Sequence, residues 1–209
     1  MNCIVVYFVA FWTNCSIFYA YDNFCFYANK WASWKAQSYN PIVWDLWKSC
    51  AISCFKMQAL FFLGVAPFVK PSQYPLETIP VGALKFLALS LSYDFTFYIC
   101  HRLMHAFPFL YKFHKQHHRN SVVLVAASAS DSHFLGILVE YVPFFVIVEV
   151  FSFSETLRMI ALVVIAVCQC WSHAGITAQA HTIHHEQRKY NYGIGLYCMD
   201  RCMGTFKAP

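Results

Sequence analysis

Residues 79–105 read IPVGALKFLALSLSYDFTFYICHRLMH. The 22 positions from 79 to 100 are mostly apolar. A helix of that length extends about 33 Å, which is enough to cross the hydrocarbon core of a bilayer. His101 and His105 follow directly and, being four residues apart, lie on one face of the helix. The stretch therefore predicts a transmembrane helix that carries two imidazoles out of the membrane.

The composition of the whole chain also indicates a membrane protein. Of 209 residues, 59% are hydrophobic and only 12% are Asp, Glu, Lys or Arg, whereas a soluble domain carries roughly 25% charged residues. So few charges cannot cover a water-facing surface, which argues against a soluble enzyme, a disordered tail and a nucleic-acid binder. The ten cysteines include no C-x-x-C motif. We expect them to act as small hydrophobic residues rather than as disulfides.

Other apolar stretches complete the predicted bundle. Residues 3–21 are uncharged and lack the basic flank and cleavage site of a signal peptide, so they predict an anchor or first helix. Residues 42–66 are helical in character, and the prolines that follow predict a connector. Residues 134–151 and 157–171 predict a helical hairpin. The expected fold is all-α, a polytopic membrane helical bundle with a cytosolic histidine-rich cap.

The basic residues predict how the bundle is oriented. Eight of them lie in the two histidine-bearing segments, whereas the opposing connectors hold only Lys70, with Arg158 just beyond. By the positive-inside rule both histidine segments face the cytosol. The hairpin between residues 134 and 171 puts the two segments on the same side. The eight residues are Arg102, Lys112, Lys115, Arg119, Arg188, Lys189, Arg201 and Lys207.

All ten histidines lie between residues 101 and 185, and eight of them form three clusters with helical spacing. On a helix, the spacing i, i+3, i+4 places imidazoles on one face, within reach of a common metal. Neutral imidazole is a preferred ligand of iron and zinc. With His133 and His173 added, the clusters suffice for two metal ions. The clusters are His101 and His105; His114, His117 and His118; and His181, His184 and His185.

Asp94 and Tyr98 precede His101 at i−7 and i−3 and share its arc of the helix. An ionisable group inside an apolar helix is costly and is usually functional. We therefore predict that Asp94 supports the metal ligands by fixing the tautomer of a ring. Simpler interpretations stay open at this point. Asp94 would equally suit a polar pocket between helices, and His133 or His173 would equally suit a capping or packing role.

These motifs resemble the three histidine boxes of the fatty acid hydroxylase superfamily, in which sterol desaturases, methyl-sterol oxidases and sterol hydroxylases are the nearest relatives. The similarity covers residues 79–209, which it identifies as a catalytic domain, and leaves residues 1–78 as membrane-anchoring helices and a connector. The elements that carry it are Asp94 to His105, Tyr111 to His118, His173-x-Gly175, His181 to His185, Asn191-Tyr192-Gly193 and Asp200-Arg201-x-x-Gly204-Thr205.

The resemblance implies a non-haem di-iron oxygenase. Its two iron ions would be held by an almost entirely histidine shell formed from the ten histidines, with Asp94 and Tyr98 behind them. It implies O2 as oxidant, two electrons from a donor such as cytochrome b5, and a sterol or related lipid that is hydroxylated or desaturated. It also implies the endoplasmic reticulum membrane, and we expect no nucleic-acid partner.

Three departures from the family pattern loosen the assignment to a subfamily. The proline expected after the second box is replaced by Ser121-Val122-Val123, and Met199 stands where tryptophan is usual. The region around His133 also differs from that of sterol Δ5-desaturases, although the Tyr190-Asn191-Tyr192-Gly193 run favours them. Three alternatives therefore stay open. They are a fatty-acyl or sphingolipid hydroxylase, a histidine-lined metal transporter, and a non-catalytic scaffold of the same fold.

Overall fold

The computed structural model describes residues 3–27, 41–119, 124–174 and 179–208, and within these ranges the chain is helical without any β-strand. The all-α prediction is therefore confirmed. Three short 3₁₀ turns, Ala66–Phe68, His117–Arg119 and Ala126–Ser130, interrupt the helices. The helices are α1 (Cys3–Tyr27), α2 (Pro41–Val65), α3 (Ile79–Ala106), α4 (Pro108–His114), α5 (Phe134–Val150), α6 (Glu155–His173), α7 (Gln179–Gln187) and α8 (Cys198–Cys202).

Within the described ranges, four helices are long and apolar enough to cross a membrane, which confirms the predicted polytopic bundle. The spans are Cys3–Tyr21, Asp45–Val65, Ile79–Ala106 and Glu155–His173. The 28 residues of α3 extend about 42 Å, which is more than the roughly 30 Å of a hydrocarbon core. Its last turns, which carry His101 and His105, therefore project beyond that core.

The boundaries of α3 follow from two prolines. Pro80 lies in the first turn of α3. Backbone amides in the first turn have no intrahelical hydrogen-bond acceptor, so a proline there costs the helix no hydrogen bond. The helix ends at Ala106 because Phe107, the residue before Pro108, adopts an extended conformation, as residues that precede proline usually do. A short helix, α4, then begins at Pro108 and turns the chain across the end of the bundle.

The two helices predicted as a hairpin are present as α5 and α6, joined by a tight turn in which Ser152 has a φ of 55°, but α5 packs mainly against α3 and α6 mainly against α1. Ser154 caps α6 through its hydroxyl, which accepts a hydrogen bond from the amide of Leu157. Glu77 joins the start of α3 to this turn, since it pairs with Lys85 at 3.0 Å and accepts a hydrogen bond from the amide of Ser154 at 2.8 Å. These contacts tie the bundle together at the end away from the histidines.

The N-terminal helix packs directly against α6. The hydroxyl of Tyr7 donates to the side-chain oxygen of Gln169 at 2.8 Å, and Tyr141 of α5 donates to the same oxygen. The thiols of Cys15 and Cys170 lie 3.8 Å apart, at hydrogen-bonding distance and without a disulfide. None of the nine cysteines whose side chains the structure describes forms a disulfide. The division of the chain at residue 78 stays a prediction.

Candidate metal centre

Nine histidines converge in two adjoining groups at the end of the bundle. Within each group, one ring nitrogen from every histidine lies within 4.8 Å of the corresponding nitrogen of every other member. All the rings are buried except that of His105, which is partly exposed. The first group is His101, His105, His114, His118 and His184, and the second group is His117, His173, His181 and His185.

Backbone carbonyls fix the tautomer of three of these rings. Nδ1 of His101 lies 2.6 Å from the carbonyl oxygen of Tyr192, and Nδ1 of His184 lies 2.7 Å from that of Tyr190. In the second group, Nδ1 of His173 lies 3.0 Å from the carbonyl oxygen of Gln169. A carbonyl only accepts hydrogen bonds, so each Nδ1 carries the proton. In the neutral ring, each Nε2 then presents a lone pair towards the centre of its group.

The Nε2 atoms face one another at short range. His101 and His114 approach to 2.9 Å, and His114 and His118 to 3.0 Å. In the second group, His173 lies 3.3 Å from both His117 and His185 through the same atoms. Lone pairs converging at this distance repel each other unless a proton or a cation lies between them.

Protonation of the rings is disfavoured because the rings are buried. Burial lowers the pKa of His114, His181, His184 and His185 well below its ordinary value, and the neighbouring imidazoles lower it further. The rings are therefore neutral at physiological pH, which is the state in which imidazole binds metal.

Five of the rings contain buried nitrogens without a hydrogen-bond partner within the described ranges. They are Nε2 of His105, Nδ1 of His114, His117 and His118, and both ring nitrogens of His181. A buried polar atom without a partner costs free energy, and a cation in each group would satisfy Nε2 of His105 and one nitrogen of His181. Nitrogen-only donor sets suit iron and zinc better than the hard ions magnesium and calcium. The residues present thus fit a pair of transition-metal ions.

The second histidine motif corrects one expectation. We expected the i, i+3, i+4 spacing to place its three rings on one helical face. Instead, α4 ends at His114, and His117 and His118 begin a 3₁₀ turn after an intervening bend. His114 and His118 join the first group, whereas His117 joins the second.

The third motif lies on a regular helix, as expected, but its rings also divide between the two groups instead of sharing one metal site. On α7, His184 points to the first group, and His181 and His185 point to the second. His173, at the end of α6, completes the second group. Two of the three motifs therefore bridge the two groups, which fixes the distance between them.

His133 is not brought to either group. It is the N-cap of α5, where its Nδ1 accepts a hydrogen bond from the amide of Leu135 at 3.2 Å, and its exposed ring packs against Phe113 with the ring centroids 5.0 Å apart. A capping role, one of the simpler interpretations open at the level of sequence, accounts for this residue.

Asp94 and Tyr98 lie near the site but do not contact a histidine nitrogen. Oδ2 of Asp94 accepts a hydrogen bond from the amide of Met199 at 2.9 Å, so the residue anchors the C-terminal segment. The hydroxyl of Tyr98 accepts from Arg102 at 2.6 Å. The ring tautomers are fixed by backbone carbonyls instead, which have no sequence signature.

The C-terminal segment is shaped by Asp200, which is fully buried. Its carboxylate accepts hydrogen bonds from the amides of Tyr192 and Gly193 at 2.9 and 2.7 Å. This turn aims the carbonyl of Tyr192 at His101. The Asp200 motif was visible in the sequence, but its function as the support of a ligand was not.

Asp131 supports the second motif in a comparable way, and the sequence did not reveal it. Its buried carboxylate pairs with Arg119 at 2.6 Å and accepts hydrogen bonds from Gln116 at 3.0 Å and from Ser53 of α2 at 2.7 Å. Gln116 and Arg119 flank His117 and His118 on either side. The irregular segment that carries these ligands is thus held to α2 by one carboxylate.

Comparison with known proteins adds independent information. Residues 86–205 match the family model described as fatty acid hydroxylase. The chain is also similar to a Delta(7)-sterol 5(6)-desaturase of Eremothecium gossypii, with 29% identity over 137 residues, or 61% of this chain. The alignment spans 38% of that relative's length. No solved structure matches the chain.

Proposed function

Because the chain belongs to the fatty acid hydroxylase family, we propose that it is a membrane-bound oxidoreductase that hydroxylates or desaturates a lipid with O2 and two external electrons. The observation that carries the proposal is the convergence of nine imidazoles into two adjoining groups. In this proposal each group holds one iron ion. Bound iron would supply the activation of O2, because side chains alone do not perform such redox chemistry.

The protein's own contribution is to present the ligands already oriented. The carbonyls of Tyr192, Tyr190 and Gln169 hold three rings with Nε2 turned inward. Such outer contacts fix ring orientation and raise the basicity of the ligand nitrogen. Burial excludes water from the rings and keeps them neutral, so the site needs no loss of protons from the ligands before a cation binds.

Neutral ligands leave the charge of two cations uncompensated, and two nearby carboxylates offset part of it. Asp200 and Asp94 are both buried, at 0% and 3% exposure. A Cβ placed on Gly193 would lie within 3.5 Å of an oxygen of each, so the two carboxylates flank the same turn behind His101. Their negative charge favours cations in the adjoining group.

The proposed substrate is a sterol or a related membrane lipid. The support for it is the similarity to a sterol desaturase and the location of the histidines at the ends of apolar helices, where a lipid arrives from the bilayer. A metal transporter would instead place its ligands at mid-depth within the spans. A fatty-acyl or sphingolipid chain is the competing substrate.

The proposed electron donor is an acidic carrier such as cytochrome b5. Exposed basic residues surround the histidine end of the bundle, among them Lys112, Arg188, Lys189, Arg201 and Lys207. A positive rim of this kind steers an acidic partner to the site. With the positive-inside rule, the same residues support a cytosolic orientation, and the family resemblance supports the endoplasmic reticulum membrane.

Metal content and lipid turnover test the proposal together. Purified full-length protein should contain close to two iron ions per chain, and His184→Ala should lower that content. His133→Ala is the matched control, because His133 lies outside both groups, and it should leave the metal content unchanged.

The second arm expresses the same three proteins in a sterol-blocked yeast strain and profiles the lipids by mass spectrometry. Wild type and His133→Ala should alter a sterol, whereas His184→Ala should not. A changed acyl or sphingolipid chain would shift the substrate to the competing class. Metal content near zero, with identical lipid profiles for all three proteins, would leave only a non-catalytic scaffold.

A further inference from the structure

An apolar cavity lies between α3 and α6 on the membrane side of the histidine groups. Its volume is about 240 Å³. Along α3 the lining runs from Phe86 to Asp94, and along α6 from Ala161 to Gln169. Eight residues of helix extend about 12 Å on each side. Both helices run towards the histidines, so Asp94 and Gln169 mark the end of the cavity that is nearest the candidate metal centre.

The cavity opens towards the lipid. Val164 and Cys168, which line it on α6, are exposed on the surface of the bundle, Val164 with 38% of its surface accessible. The C-terminal segment closes the end of the cavity that is nearest the histidines, through Ile194, Gly195 and Leu196. A drug-sized ligand normally occupies 300–1,000 Å³, so this cavity holds one end of a lipid while the remainder stays in the bilayer.

Few polar groups line the cavity. The hydroxyl of Ser90 is bonded to the carbonyl oxygen of Phe86, and the other polar groups lie at the end nearest the histidines. The side-chain oxygen of Gln169 already accepts from Tyr7 and Tyr141. Asp94 differs from these residues. It is 97% buried, Oδ2 is bonded to the amide of Met199, and Oδ1 has no hydrogen-bond partner within the described ranges.

We infer that this cavity binds the hydroxyl-bearing end of a lipid alcohol, with the hydroxyl donating a hydrogen bond to Oδ1 of Asp94. An apolar cavity with a few polar groups at one end selects an apolar ligand that carries a complementary polar group, and Oδ1 of Asp94 is an acceptor there without a partner within the described ranges. The orientation is also the natural one for such a lipid. Its hydroxyl lies near the membrane surface and its hydrocarbon extends down between α3 and α6. This inference rests on the proposed function, and it places the reacting carbon near the hydroxyl.

Photolabelling tests the inference without requiring turnover. Full-length protein in lipid nanodiscs, without oxygen or reductant, is labelled with a diazirine-bearing sterol that has a free 3-hydroxyl, or with its 3-O-methyl ether. A second arm uses a diazirine-bearing straight-chain alcohol and its methyl ether. Labelled peptides are mapped by mass spectrometry. A hydrogen bond to a charged group corresponds to roughly a tenfold preference, so each alcohol that binds should label residues 161–169 and 194–196 about tenfold more than its ether.

Two matched variants test the location. Val164→Trp should block the cavity and abolish the preferential labelling. Val163→Trp is the control, because Val163 is about as exposed, at 36%, and is not among the lining residues. Asp94→Asn should bring the labelling by alcohol and ether to near equality, since the charged acceptor is gone.

The outcomes separate this inference from the proposed function. Equal labelling by alcohol and ether in the wild type would overturn the role of Asp94, and selective labelling that survives Val164→Trp would overturn the cavity. Preference in the sterol arm or in the straight-chain arm identifies which lipid alcohol the cavity takes. Alcohol-selective labelling by a protein that never turns over a lipid would refute the proposed function and leave the binding site standing.

Discussion

Gly193 donates its amide proton to Oδ2 of Asp200 at 2.7 Å, and a Cβ on Gly193 would lie 2.8 Å from that same oxygen. The turn therefore accepts no side chain at this position unless the carboxylate moves. Because Asp200 also binds the amide of Tyr192, whose carbonyl holds His101, the absence of a side chain at Gly193 is linked to the orientation of a metal ligand.

We predict that Gly193→Ala weakens the first histidine group. Displacing the Asp200 carboxylate should cost about 1–3 kcal/mol in the free energy of unfolding and lower the iron content. Thermal unfolding and metal analysis of the purified protein measure both. Gly64→Ala is the control, because a Cβ there would meet only Phe134 at 3.9 Å. Normal stability and metal content in Gly193→Ala would show that the turn adapts.

A second prediction follows from the division of the second motif between the two groups. His117→Ala and His118→Ala should each reduce the metal content from about two ions to about one, but at different sites. Mössbauer spectra of iron-57-loaded protein should therefore lose different components in the two variants. Loss of the same component from both would favour the single-face arrangement that the spacing alone suggests.

A third prediction concerns the buried carboxylate of Asp131. Asp131→Asn removes the charge that pairs with Arg119 and accepts from Ser53 and Gln116. We expect the free energy of unfolding to fall by about 1.5–3 kcal/mol, with a loss of metal from both groups, because His117 and His118 belong to different ones. Asp45→Asn, at an exposed carboxylate, should change neither quantity. A stable variant with full metal content would refute the supporting role.

A fourth prediction is a pH dependence at the opposite end of the bundle. Burial alone would raise the pKa of Glu77, but hydrogen bonds from Ser154 and Lys85 outweigh it and lower the pKa from 4.5 to about 2. The contribution of Glu77 to stability is thus complete above pH 4.5 and is lost as the pH falls from 4.5 towards 2.

The measurement is the unfolding midpoint in detergent across that range of pH. Glu77→Gln should lower stability at neutral pH and should remove part of the decline seen in the wild type below pH 4.5. Glu77 joins the start of α3 to the hairpin turn, so its loss should leave the metal content unaltered. A variant that declines as steeply as the wild type would show that other carboxylates dominate.

The features that the sequence predicted are those set by local spacing. The apolar length of residues 79–100 and the interval between His101 and His105 determine a helix and a face, and the structure has both. His181, His184 and His185 also lie on a helix, α7, as their spacing predicts, but their division between two groups was not predicted. An α-helix converts spacing into geometry without reference to the rest of the chain.

The features that escaped prediction depend on contacts distant in sequence or on backbone atoms. Asp131 reaches Ser53 across 78 positions, and a carbonyl such as that of Tyr192 is present in every residue. His133 resembled the ligands in the sequence, but it caps α5 instead. The break after His114 also had no proline or glycine to signal it, so the division of the second motif emerged only from the fold.

The bond between Ser53 and Asp131 has a consequence for any shortened form of this polypeptide. A fragment starting at residue 79 would retain every imidazole and the whole family-matched region, but it would lack the hydroxyl that steadies the bend carrying His117 and His118. Supplying residues 1–78 as a separate chain should restore metal loading to such a fragment, in the manner of a split protein. The two pieces would reassemble through an interface that includes the hydrogen bond between Ser53 and Asp131.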